Sequence, residues 1–172
     1  MTIQDKIKLA QQRLVVTVDG KAGNETWDAI LEMLGIEVDS DIHVVKASSF
    51  ADPADVRAFK RCKATGKTDQ ECFKVGDNGI GFTGIVCATD KENYCALPRE
   101  DWMEKYGSAK KAGGAPVVVT YKGKVVDGFL GDTMPRRANI KNGAGIDLNP
   151  GFAKAFGLKP PFLVSGVTWR WA

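Results

Sequence analysis

The sequence predicts an α+β protein, built as a six-stranded barrel with short helices and preceded by a small helical module. Short segments rich in β-branched and aromatic residues, separated by turn sequences, recur through the second half of the chain. Glycines inside these segments mark places where another backbone segment passes close by. Strands and helices do not strictly alternate and no glycine-rich phosphate loop is present, so a small barrel is favoured over a doubly wound sheet.

The composition is that of a folded globular protein, with 44% hydrophobic and 26% charged residues among 172. A net charge of +3 is too small to indicate a nucleic-acid partner. No apolar run approaches the ~20 residues that a membrane span requires. The amphipathic residues 1–14 lack the apolar core of a signal peptide, so we expect either a removed leader or another route of release. A monomer without nucleic-acid or membrane partners is expected.

The first part of the chain reads as two short helices around a turn. Apolar residues recur at helical spacing over residues 3–14. Asp19-Gly20 forms a tight turn, Asn24 is a suitable cap for a second helix, and Gly35 is a suitable end. These features predict a compact helical unit of about 35 residues.

We divide the chain into a helical module (1–38), a helical connector (39–73) and a barrel domain (74–172). The connector contains a short strand-like segment, which we interpret as part of the linker. It then contains a helix that begins with Asp52 as N-cap and Pro53 in the first turn.

The four cysteines occur as two local pairs, Cys62/Cys72 and Cys87/Cys95. Disulfides within each pair are the simplest oxidised interpretation, and four reduced, buried thiols are the alternative. No Cys-x-x-Cys spacing occurs and His43 is the single histidine, so neither a zinc site nor another cofactor is expected. A lone histidine is more often structural than catalytic.

Two carboxylates lie at ordered points of the central stretch, residues 117–157. The strand patterns VVVTY and KVVDGFLG flank a Lys122-Gly123 turn, and the second strand runs into Asp132. Asp147 precedes a short helix for which Asn149 is the predicted N-cap. Paired carboxylates on rigid elements are the groups that cleavage of a glycosidic bond requires. Asp132 and Asp147 are therefore the candidate catalytic residues.

Several nearby residues are candidates for substrate binding. These are Asp77, Thr133, Arg136 and Asn149. Asp77 lies in a Gly-Asp-Asn-Gly segment, where turn formation is the simpler explanation. The loop that carries Arg136, Arg137 and Lys141 could grip substrate carboxylates, although solvated loop charges are the simpler interpretation of these cations.

The N-terminal pattern resembles the peptidoglycan-binding module found on many cell-wall hydrolases. It contains a glutamine-rich first helix (residues 11–14), a V-D-G-x-x-G turn (18–23) and an x-T-x-x-A-I segment (25–30). The resemblance covers residues 5–36 and implies an affinity for bacterial wall. The alternative is a helical hairpin that only packs on the main domain.

Residues 79–172 resemble the fungal-type chitosanase family of glycoside hydrolases, through A-L-P, V-V-V-T-Y-K-G-K, G-D-T, I-D-L-N-P, F-A-K-A-F-G and S-G-V-T-W. The resemblance implies a double-psi β-barrel with Asp132 and Asp147 as the catalytic acids. In this comparison, Asn149 occupies the position at which the family motif has a serine. Asp147 stands where that family has a glutamate, which is one methylene longer.

The same two segments also resemble lytic transglycosylase barrels of the cell wall, in which the later aspartate is the acid/base. The implied function is a glycoside hydrolase or lytic transglycosylase that cleaves peptidoglycan glycan strands, in the manner of phage endolysins. Hydrolysis of chitosan, or binding of wall glycan without catalysis, are the alternatives. The protein is expected to act outside the cell or after release to the wall.

Overall fold

The computed structural model describes residues 1–34 and 42–172. The chain forms two compact units, Met1–Ser40 and Asp41–Ala172. The predicted helix end at Gly35 and the first residues of the predicted connector, 39–41, lie outside the described residues.

The first unit contains α1 (Ile3–Leu14) and α2 (Asn24–Met33). Gly23, and not Asn24, occupies the N-cap position of α2. The turn between the helices is organised by Gln11, which is buried. Its Nε2 donates to Asp19 Oδ1 at 2.8 Å and its Oε1 accepts from the Gly20 N–H at 2.9 Å. A buried amide satisfied in this way fixes the conformation of the turn.

The described residues of the second unit form a closed barrel of six strands, in the order β1-β5-β2-β4-β3-β6. The strands are β1 (His43–Ser49), β2 (Tyr94–Pro98), β3 (Pro116–Tyr121), β4 (Lys124–Met134), β5 (Ala144–Leu148) and β6 (Leu163–Trp171). The helices are α3 (Pro53–Lys63), α4 (Asp69–Cys72), α5 (Arg99–Tyr106), α6 (Ala109–Ala112) and α7 (Pro150–Phe156), with a 3-10 turn at Arg137–Asn139. The predicted α+β class with a closed six-stranded barrel is confirmed.

Two strand pairs of the barrel are parallel, β1 with β5 and β2 with β4, and the other pairs are antiparallel. The β3–β4 hairpin turns at Lys122 and Gly123, which both have positive φ, as a two-residue type I′ turn requires. The predicted hairpin is therefore confirmed. Within residues 74–87, Ile80 and Val86 form an isolated antiparallel bridge.

The assignment of residues 43–49 to a connector is wrong, because these residues form β1 and pair with β5 and β6. Both partners follow about 100 residues later in the chain. A local pattern could not reveal that pairing. His43 in β1 is structural, since its ring stacks on Trp169 with the centroids 4.1 Å apart.

The disulfide between Cys62 and Cys72 is present and links the end of α3 to α4. The second predicted disulfide is wrong, because Cys87 and Cys95 are free thiols. Cys95 packs among the residues that fill the barrel, whereas Cys87 packs outside it against Ala96 and Met134. The two side chains thus belong to different hydrophobic clusters.

None of the helices in the described ranges combines the length and the apolar character needed to cross a membrane.

Candidate active site

An acidic cleft of about 410 Å³ lies against the outer face of the barrel. Its described acidic lining residues are Asp55, Asp77, Asp132 and Asp147. The other walls are mainly apolar and include Phe50, Phe73, Val75, Ala96, Met134 and Pro135. None of the described lining residues is a lysine, an arginine or a histidine.

Three neighbouring strands place the two predicted catalytic acids in one row. Ala96 of β2 pairs with Asp132 of β4 on one side and with Asp147 of β5 on the other. Residues paired in this way point to the same face of a sheet. Two strand spacings put the α-carbons of the acids about 9.5 Å apart. Ala96, with its small side chain, lines the cleft between the two acids.

A β-bulge turns Asp132 out of the barrel. Cys95 pairs with Leu130, but the next residue of β2, Ala96, pairs with Asp132, so Gly131 is an extra residue in β4. Leu130 is fully buried in the core. Without the extra residue, Asp132 would share the inward face of Leu130, because side chains alternate along a strand.

Gly131 cannot readily be replaced at this bulge, because a Cβ there would lie 2.6 Å from Cys87 Sγ. The pairing of β1 with β5 contains a similar irregularity, in which Gly145 is the extra residue two positions before Asp147. A Cβ on Gly145 would lie 2.5 Å from Cγ1 of Val45. Each catalytic candidate therefore follows a glycine bulge, a feature common beside active sites.

The Asp132 carboxylate is held by two backbone donors. Its Oδ1 accepts from the N–H of Phe82 at 3.0 Å and from the N–H of Thr133 at 2.8 Å. Burial raises the pKa of Asp132 to about 6 and the nearby charge of Asp77 adds to this rise, while both backbone hydrogen bonds lower it.

The Asp147 carboxylate accepts a short hydrogen bond from the hydroxyl of Ser48 in β1. The Ser48 oxygen in turn accepts from Nδ2 of Asn142 at 3.3 Å. Burial raises the pKa of Asp147 to about 6, the Ser48 hydrogen bond lowers it, and the charges of Asp132, Asp77 and Asp55 raise it further. Ser48 and Asn142 were not predicted as site residues.

Asp55 is a cleft residue that sequence reasoning missed. It lies in the first turn of α3, three residues after the N-cap Asp52. The carboxylate of Asp52 accepts hydrogen bonds from the N–H groups of Ala54 and Asp55. Burial raises the pKa of Asp55 to about 6, and the nearby Asp52 contributes. In the sequence it looks like an ordinary first-turn acid, because nothing local shows that α3 faces the barrel wall.

Two predicted binding residues do line the cleft. Asp77 forms the expected turn, accepting from the Gly79 N–H at 2.6 Å. Burial raises the pKa of Asp77. Thr133 is exposed, and its hydroxyl oxygen accepts from Nε1 of Trp102 at 3.1 Å.

Asn149 is wrongly predicted as a binding residue, because its side chain is fully buried. Its Oδ1 accepts from the N–H groups of Tyr94 and Phe152, so it is the N-cap of α7 as predicted. Its Nδ2 is within hydrogen-bond distance of the carbonyls of Cys87, Thr89 and Glu92. Asn149 fastens the loop after residue 87 to the barrel.

The basic residues of the loop between β4 and β5 do not line the acidic cleft. Arg136 and Lys141 are exposed and are not among the described residues that line the acidic cleft. Arg137 forms an ion pair with Asp101.

Although several aspartates face the cleft, the described parts of the chain contain no group of three or more His, Cys, Asp or Glu residues that could hold a metal ion.

No protein-family model matches the chain, and no curated protein sequence matches it. Among solved structures, it is similar to the Streptomyces papain inhibitor (SPI), with 19% sequence identity and a TM-score of 0.45. The match covers 79% of this chain and 99% of that one. A similarity at this level carries no argument about function.

Proposed function

We propose that the protein cleaves the glycan strands of bacterial peptidoglycan by acid/base catalysis with Asp132 and Asp147. The observation that carries the proposal is the row formed by Asp132, Ala96 and Asp147, in which two half-buried carboxyl groups line the same cleft. Both carboxyl groups have a pKa raised to about 6, so one can hold a proton near neutral pH.

The hydrogen-bond donors at the two acids differ in which protonation states they can accommodate. Backbone N–H groups can only donate, so the two that reach Asp132 favour its ionised form. The Ser48 hydroxyl at Asp147 can donate to a carboxylate or accept from a carboxylic acid. We therefore assign Asp147 as the general acid and Asp132 as the base that activates water or orients the substrate.

The separation of the acids favours hydrolysis with inversion over a covalent intermediate. Inverting glycosidases hold their carboxyl groups roughly 6.5–9.5 Å apart, with a water between them, whereas retaining enzymes need about 5–5.5 Å. Side chains that start from α-carbons about 9.5 Å apart are closer to the wider range than to the narrower one. In a transglycosylase, the same Asp147 would protonate the leaving oxygen while a hydroxyl of the sugar attacks.

The N-terminal unit supports wall glycan as the substrate. The glutamine-rich helix and V-D-G turn, which carry the resemblance to peptidoglycan-binding modules, are joined in the structure by the hydrogen bonds of Gln11. The pattern therefore corresponds to a folded unit.

Chitosan is the second candidate substrate, and the charge of the acidic cleft favours it. Protonated glucosamine units are cationic, and the described lining of the cleft contains acids without a balancing cation. The alternative of a barrel that only binds glycan predicts association with either polymer and no new chain ends.

Mass spectrometry of digests of purified peptidoglycan and of chitosan tests these functions. We expect new reducing ends from peptidoglycan if water attacks, and anhydro ends if the sugar hydroxyl attacks. If products formed from chitosan and not from peptidoglycan, chitosan would be the substrate. Binding to both polymers without any product would contradict catalysis altogether.

A further inference from the structure

A second depression, which we call the basic groove, lies beside the acidic cleft. It has a volume of about 490 Å³. Its described charged lining residues are Lys46 of β1 and Arg137 of the loop between β4 and β5. The remaining wall includes Gly143, Gly145 and Gly166, together with the apolar residues Val44, Val45 and Ile140. The two neighbouring depressions therefore carry opposite charge.

The strands that hold Asp147 also form the basic groove. Lys46 lines the groove, and Ser48, two residues later in β1, donates to Asp147 of β5. Two residues along a strand span about 6.7 Å and return to the same face. The outer face of β1 therefore leads from the groove to the Ser48–Asp147 hydrogen bond, over a distance comparable to a single sugar unit.

The loop between β4 and β5 also borders both depressions. Met134 and Pro135 line the acidic cleft, while Arg137, Ile140 and Gly143 line the basic groove. A chain bound across Asp147 would reach the groove without crossing a separate element.

The two cations of the groove suit a carboxylate. Lys46 is exposed and has no ion pair with any described residue. Arg137 pairs through Nη2 with Asp101, which is itself nearly buried, and its side chain keeps 46% of its surface exposed. A guanidinium has five N–H donors, so donors remain for a ligand.

We propose that the basic groove is a subsite for the carboxylate of an acidic sugar, namely the lactyl group of muramic acid, adjacent to the bond that Asp147 protonates. The inference rests on the proposed cleavage of wall glycan and adds the specificity of that site. The groove would select glycan strands whose lactyl carboxylates are free, since an amide bond to a stem peptide removes this charge. The acidic cleft accommodates the neutral sugar rings and the scissile bond.

Binding of two matched disaccharides to the full chain tests the subsite. N-acetylglucosaminyl-N-acetylmuramic acid carries the lactyl carboxylate, and N,N′-diacetylchitobiose has a similar backbone without it. By NMR titration at low salt, we expect the acidic disaccharide to bind about fivefold more tightly. Lys46→Gln should remove most of this preference and Lys46→Glu should reverse it. Lys141→Gln, at an exposed lysine of the same loop as Arg137, is the matched control and should keep the preference.

Equal binding of the two disaccharides to the wild-type protein, or binding of neither, would overturn the subsite. So would an equal response of the Lys46→Gln and Lys141→Gln variants. A preference that Lys46→Gln abolishes, in a protein that releases no glycan product, would support the subsite while contradicting the proposed cleavage. The failure of one proposal is thus distinguishable from the failure of the other.

Discussion

Two aspartates with similarly raised pKa values differ in the atoms that contact them. Asp132 is fixed by backbone N–H groups that cannot change their hydrogen-bonding direction, whereas Asp147 contacts a hydroxyl that can rotate. Because the charge of Asp132 raises the pKa of Asp147, the titration of Asp147 depends on the protonation state of Asp132. Cleavage should therefore follow a bell-shaped pH profile with its maximum near pH 6.

Replacing Ser48 with alanine should move the basic limb of that profile to higher pH. The Ser48 hydroxyl lowers the pKa of Asp147, so its loss raises the pKa and keeps the acid protonated further into the alkaline range. We also expect the maximum rate to fall several-fold, because the carboxyl group loses its positioning contact. A pH–rate profile measures both effects, and an unmoved basic limb would exclude Asp147 as the acid.

Replacing Asn149 with alanine should affect stability and not substrate binding. The change leaves buried carbonyl and N–H groups without their partner, at a cost of about 2–4 kcal/mol in the free energy of unfolding. Urea denaturation measures this cost. A variant of normal stability with a raised KM would restore Asn149 as a binding residue.

At the scale of the elements, the glycine bulges in β4 and β5 connect the fold to the site. Gly131 adds one residue directly before Asp132 and moves it from the core face to the outer face, and Gly145 adds one residue two positions before Asp147. The pairing of β2 with β4 and with β5 then places the two acids on either side of Ala96, and the pairing of β1 with β5 places Ser48 beside Asp147.

Replacing Gly131 with alanine should displace Asp132. The added methyl group would meet Cys87 Sγ at 2.6 Å, so the bulge must shift, at a cost of about 1–3 kcal/mol of stability. We expect glycan cleavage to fall at least tenfold. Urea denaturation measures the loss of stability, and the rate of glycan release measures the loss of cleavage. Normal cleavage by the Gly131→Ala variant would show that the bulge does not position the acid.

Local signals in the sequence were sufficient for several elements. The Lys122-Gly123 hairpin, the Asp52 cap and the Asn149 cap follow from the side chains and turn residues at those positions. The placement of Asp132 and Asp147 in one cleft also agrees with the prediction. β1 and Asp55 could not be predicted in the same way, because their positions depend on contacts between distant segments.

At the scale of the whole molecule, several half-buried acids share one cleft at the expense of stability. Burial raises the pKa of Asp132 and Asp147 to about 6, above their ordinary value of 3.8. Between these two pH values the folded protein binds more protons than the unfolded chain. The contribution of the two acids to stability is therefore greatest below about pH 4 and falls as the pH rises through 6.

Asp147→Asn should consequently stabilise the protein at pH 7.5 and have little effect at pH 4. The amide keeps the shape of the side chain and removes the cost of a buried charge, so we expect a gain of about 1–2 kcal/mol at the higher pH. Urea denaturation at both pH values measures the difference. Equal destabilisation at pH 4 and pH 7.5 would show that Asp147 has a structural role unrelated to its charge.

The rate of glycan cleavage by charge-neutral variants is the most direct test of the catalytic pair. Asp132→Asn and Asp147→Asn should each lower the release of products from peptidoglycan by about 100-fold or more, since each removes a proton-transfer group. Asp127→Asn, at an exposed aspartate five residues earlier in β4, is the matched control and should cleave at the wild-type rate. Undiminished release of products by both the Asp132→Asn and the Asp147→Asn variants would contradict the assignment of these residues as the catalytic acids.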